Sequence, residues 1–184
     1  MDYHMISGYG ILTLVIFRVI WGLIGSTHSR FRSFVNLSEL IPHTRRLLKR
    51  DQAKIAGHNP LGALSIIAML LVLGTQATTG LFANDDIFLE GPLVHLVDDA
   101  TSDRLTTVHH FCAKALYVLI GLHLAAIIFH EIYKRERLVL PMFSGYAKGL
   151  PASVDKPSFR REYVTASGLL ATCAGFVYWL VKYV

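Results

Sequence analysis

The chain is 184 residues long, 53% hydrophobic, and carries a formal net charge of +5, with a mean hydropathy of +0.44. A water-soluble domain of this size spreads its apolar residues over one core, whereas here they fall into long runs, which argues against a soluble fold. The basic residues gather in two connecting segments rather than on a stripe that could follow a phosphate backbone, so nucleic acid is not an expected partner.

Four windows reach the roughly 20 apolar residues that a helix needs to cross a hydrocarbon core: residues 6–25, 61–82, 107–130 and 163–184. None alternates along its length as a strand would. The predicted fold is all-α, a multi-pass transmembrane bundle with four spanning helices, forming a single membrane-embedded domain over residues 1–184. The first window lacks a signal peptide's basic start, having Asp2 there instead. It also contains Arg18, and no clean small-residue cleavage site follows it.

The connections differ in charge. Residues 26–60 hold seven Lys/Arg against two acids, residues 83–106 one against six, and residues 131–162 seven against four. Basic loops stay on the cytoplasmic side. The first and third connections are therefore predicted to be cytoplasmic, and the acidic second one periplasmic. Both chain ends then fall outside. The segment 29–54, with its "SELIPHTRRLLKR", alternates apolar and basic residues and suits a helix lying along the membrane surface near anionic lipid. In "GHNPLG", Asn59 is placed to cap the second span and Pro60 to open it. The acidic loop "NDDIFLEGPLVHLVDDATSD" could dock a basic electron carrier, and its His95 alone is a weak metal candidate.

The third span carries His109, His110, His123 and His130. Ionisable side chains inside a span are functional candidates by default, because placing them in lipid is costly. A helix turns about 100° and rises about 1.5 Å per residue, so His109 and His123, fourteen apart, lie within about 40° of each other and about 21 Å apart along the axis. They share a face at two membrane depths. His110 lies nearly opposite His123 and reads as a boundary neighbour. An imidazole at each depth is what two stacked b-type haems require, since a neutral imidazole nitrogen can ligate haem iron. His4 opens the first span at the outer level, with Gly8 and Gly10 leaving that face slim. His4 and His109 are therefore the predicted outer ligand pair, and His123 the inner ligand. Arg18, fourteen residues after His4, shares its face near the inner level, where it could meet a haem propionate or reach the headgroups. His58, beside the inner level, could also bond a propionate. Cys112 and Cys173 are expected to pack as small apolar groups. There is no C-x-x-C-H, so covalent haem attachment is excluded. No nucleophile–base motif is present, and no catalytic residue is assigned.

The stretches "YHMISGYGILTLVIFRVIWGLIGSTHSRFRSF", "GHNPLGALSIIAMLLVLGTQATTGLF" and "VHHFCAKALYVLIGLHLAAIIFHEIYKRERLVLPMFSG" together resemble the bacterial cytochrome b561 family, which includes the b-type cytochrome subunits of nickel–iron hydrogenases. The resemblance covers about residues 3–145. It implies a four-helix bundle in the bacterial inner membrane with one or two haems b. Such a bundle exchanges electrons between a redox partner, such as a c-type cytochrome or a hydrogenase, and the quinone pool. His4 matches the family's second-helix ligand, and His109 and His123 the pair on its fourth helix. Arg18 and the stretch 57–62 also match. The sequence departs from the pattern twice. The family's first helix, with its own ligand, has no counterpart before His4: either Met1 is not the true start and that helix supplies the inner partner of His123, or the helix is lost and His58 or His28 substitutes. A further helix stands at 163–184. Two other readings are a quinone-linked oxidoreductase acting alone, for instance on superoxide, and a haem-free membrane anchor.

Overall fold

The computed structural model describes residues 2–26, 29–34, 60–85, 90–135, 139–140 and 159–184. In chain order these form α1 (Asp2–Ile24), the single turn α2 (Phe31–Phe34), α3 (Pro60–Gly80), a 3-10 turn (Val94–Leu96), α4 (Asp99–Ile128) and α5 (Phe159–Tyr183). Among the described residues there is no β-strand, only an isolated bridge between Asn84 and Glu90. Four helices are long and apolar enough to cross a membrane: Tyr3–Ile24, Leu61–Gly80, Asp99–Tyr133 and Glu162–Tyr183. The all-α, four-span expectation therefore holds. Pro60 opens α3 as predicted, where its missing N–H costs nothing. Asn59 and most of the 29–54 segment lie outside the described residues.

The third span differs from the sequence expectation. It begins at Asp99 rather than at residue 107, so part of the supposed acidic loop is helix. The cause is local. The Asp98 carboxylate accepts a hydrogen bond of 2.7 Å from the Thr101 amide, capping the first turn. Ser102 donates to the Phe82 carbonyl at 2.8 Å, and Thr106 accepts from the Asn84 amide at 3.0 Å. Thirty residues of α-helix span about 45 Å, more than the ~30 Å of hydrocarbon. The surplus turns can therefore be polar, and hydropathy alone reads them as loop. At its other end α4 widens into a π-turn over Phe129–Tyr133 and stops at Arg135, whose φ of 57° lies in the left-handed region.

Hydrogen bonds from the Thr101 side chain and then its amide hold the Asp98 carboxyl below its usual range. A depressed folded value stabilises the cap at every pH above the unfolded carboxylate value of about 4. That contribution is lost as pH falls through the folded value. The protection of the Thr101 and Ser102 amides, relative to their intrinsic exchange, is expected to fall below about pH 4, and in Asp98→Ala to be low at neutral pH as well.

α3 packs along α4, while α1 touches both α5 and α3. A small core of Leu12, Leu81, Leu93 and Val177 joins α1, the end of α3, the following loop and α5, with Tyr9, Ile16 and Ala77 packed against it. Many large apolar side chains point outward, among them Phe111, Tyr117, Val118 and Leu122 on α4. In water such a surface would aggregate, whereas in lipid it is the solvated face. Hydroxyls within the spans return to the helix backbone instead of seeking lipid: Thr13 donates to the Tyr9 carbonyl, Thr75 to Leu71 and Thr172 to Gly168. Both cysteines are buried and free.

Candidate haem site

The start of α1 and the outer half of α4 bring two imidazoles together. The ring centroids of His4 and His109 are 6.0 Å apart, with planes at 84°. A metal–imidazole bond is about 2 Å long, so rings at this separation can each offer a nitrogen to one metal ion between them. α3 supplies the other wall. His109 Nδ1 lies 2.9 Å from the main-chain carbonyl of Gln76. A carbonyl only accepts, so Nδ1 carries the proton and donates. In the neutral ring the lone pair is then on Nε2. That nitrogen lies 3.0 Å from the side-chain amide nitrogen of Gln76, which donates to it. The Thr79 hydroxyl stands 3.5 Å from Nδ1 and donates to the carbonyls of Thr75 and Gln76.

The His109 ring of α4 lies against Gly80 of α3. A Cβ there would fall 2.9 Å from His109 Cε1 and 3.2 Å from Nδ1. Only glycine lets the imidazole lie against the α3 backbone. A Cβ at Gly8 or Gly10 would meet nothing within 4 Å, so that face of α1 is open beside His4. His110 is exposed, its ring 6.2 Å from that of His109.

At the inner level, His123 Nδ1 lies 3.4 Å from the Ser65 hydroxyl of α3. Because α4 is regular α-helix from Asp99 to Ile128, the phase between His109 and His123 is preserved. Among the described residues no second imidazole is paired with His123, and His28 and His58 lie outside them. Arg18 donates to the Ser29 carbonyl at 3.2 Å, and its guanidinium lies 4.8 Å from the centre of the Phe31 ring. It thus secures the chain just beyond α1. His130 is buried in the π-turn against Phe129. His95 bonds the Val184 carbonyl at 2.9 Å. Among the described residues no group of three or more His, Cys, Asp or Glu could hold a metal ion on its own. Two histidines from separate helices suit a metal already held in a macrocycle.

The sequence profile of the prokaryotic cytochrome b561 family matches residues 1–145. The chain belongs to that family. It is similar to a protein named a probable Ni/Fe-hydrogenase B-type cytochrome subunit from Azotobacter vinelandii, at 26% identity over 78% of this chain and 66% of the relative. A protein of the same name from Bradyrhizobium diazoefficiens is 24% identical over 77% of this chain and 64% of the relative. The chain thus spans slightly under two thirds of the length of these curated relatives. No solved structure matches. Membership of the prokaryotic cytochrome b561 family implies haem b as the cofactor.

The outer residues of this chain fit such a group. The rings of His4 and His109 are 6.0 Å apart, the His109 tautomer puts its lone pair on Nε2, where the Gln76 amide donates to it, and the α1 face beside Gly8 is slim. In addition, Gln76 Oε1 is buried with no hydrogen-bond partner, a polar atom that the protein alone does not satisfy. Sequence reasoning did not find Gln76, Thr79, Gly80 or Ser65. The one available signal was an amide inside an apolar span, where polar groups are expensive. α5 lies beyond the family match, and through Val177 it contributes to the core at the outer end of α1.

Proposed function

We propose that this chain carries electrons between a redox partner and the quinone pool through haem held between His4 and His109, with His123 as ligand at a second, inner level. The observation that carries this reading is the opposed pair of imidazoles from α1 and α4, 6.0 Å apart. Haem b supplies a one-electron couple there. The protein's part is to fix two neutral imidazoles, to orient His109 through its Nδ1 proton, and to exclude water with the lipid-facing helices. The charge pattern supports connections 26–60 and 131–162 on the cytoplasmic side and 83–106 on the periplasmic side of a bacterial inner membrane. The outer pair then lies near the periplasmic face. The relatives' names support a hydrogenase as the partner, and the acidic loop suits a basic c-type cytochrome as another. Arg18, and His58 from its position in the sequence, are the residues we propose for the inner propionates.

Reduction by quinol tests the reading. The purified chain in liposomes, mixed with a reduced quinone analogue, is expected to develop the α-band of a reduced b cytochrome. A haem reduced by dithionite but left oxidised by every quinol tried would rule out exchange with the quinone pool.

A further inference from the structure

Gln76 meets His109 twice. Its main-chain carbonyl takes the Nδ1 proton at 2.9 Å, and its side-chain amide donates to Nε2 at 3.0 Å. These contacts act in opposite senses on ligation. The first fixes the ring and the tautomer that presents Nε2, as hydrogen bonds to a ligating histidine's other nitrogen commonly do. The second occupies the lone pair that iron needs. The same amide group ends in a buried oxygen, Oε1, with no partner. The arrangement is therefore satisfied at the imidazole and unsatisfied at the amide, so the side chain is held only by the bond that ligation would break.

We propose that Gln76 is a latch on the haem ligand. In the haem-free chain its side-chain amide holds the Nε2 lone pair of His109 and keeps the ring seated on α3 beside Gly80. When the cofactor enters, the side chain turns away, while the main-chain carbonyl continues to hold Nδ1. Gln76 is thus a positioning residue that acts through His109. It lowers haem affinity while keeping the empty slot ordered. The inference rests on His109 being a haem ligand.

The hydrogen bond lost on opening has the worth of an ordinary intramolecular bond, equivalent to about 2- to 10-fold in affinity. Gln76→Leu keeps the side chain's approximate size and cannot bond Nε2. Haem titrated into the haem-free variant is expected to bind about 2- to 10-fold more tightly than to the parent, with an unchanged Soret maximum because Nδ1 is still held. Gln76→Met is the second variant should leucine fail to fold. Equal or weaker haem binding in whichever variant folds overturns the latch.

Nitrogen-15 NMR of labelled histidine in the haem-free chain gives a readout independent of haem uptake. In the parent, His109 is expected to be protonated at Nδ1 and hydrogen-bonded at Nε2. The variant should shift the Nε2 resonance and leave Nδ1 in place. A proton on Nε2 in the parent, or an Nε2 resonance indifferent to the substitution, also overturns the proposal. A parent chain that takes up no haem, yet shows the expected resonances, sinks the cytochrome reading of His109 and the latch with it, and leaves only the hydrogen bond between Gln76 and His109.

Discussion

His109→Ala is expected to remove the outer haem, with the haem-to-protein ratio from the pyridine haemochrome assay falling by one haem per chain. His109 is the imidazole that α4 brings to within 6.0 Å of His4, and the exposed His110 beside it does not replace it. Loss of a group that merely supports a metal ligand costs about 10- to 100-fold in affinity, so loss of the ligand itself should exceed about 100-fold. The fold should survive. α4 is a regular helix capped at Asp98, and alanine is the best helix former. Helical circular dichroism equal to that of the parent, with the outer haem gone, is the predicted combination. A variant with undiminished haem would show that the 6.0 Å pair of imidazoles has no part in holding it.

The second large effect is expected from Gly80→Ala, a substitution that touches no ligand. Inside a helix, replacing glycine with alanine gains up to about 1 kcal/mol, and Gly80, the last residue of α3, recovers only part of that. Here the new methyl would stand 2.9 Å from His109 Cε1, and relieving such a clash in a packed contact typically costs about 1–3 kcal/mol. The two effects roughly offset in the stability of the bundle. They do not offset in the position of the imidazole, which must swing off α3 and lose its 2.9 Å bond to the Gln76 carbonyl. Haem affinity is predicted to drop about 10- to 100-fold while the thermal midpoint of the haem-free chain changes little. Haem titration and a melting curve on the same preparation separate these outcomes. Parent-like affinity would mean that the ring does not need its seat against Gly80.

The four spans were legible because a membrane demands long apolar runs, and nothing else in this sequence resembles them. The start of α4 was not legible. Hydropathy falls between Asp99 and Thr106, and helix continues there through a cap and through Ser102 and Thr106 reaching the chain after α3. The meeting of His4 and His109 could be anticipated from helix geometry and topology together, since both sit near the N-terminal ends of spans that run in the same direction. The role of α3 could not. Gln76, Thr79 and Gly80 matter because of how α3 rotates against α4, and no periodicity in one helix encodes its rotation against another. The inner level is less complete. His123 meets Ser65, and the histidines named as its possible partners, His28 and His58, lie outside the described residues.

The central claim is that imidazoles from α1 and α4 ligate one haem together. Near-infrared magnetic circular dichroism of the oxidised, purified chain, paired with low-temperature electron paramagnetic resonance, tests it most directly. The account predicts a low-spin ferric haem with two imidazole ligands, and loss of that signal in both His4→Ala and His109→Ala. A high-spin or methionine-ligated haem, or a bis-imidazole signal undiminished by either substitution, would contradict it.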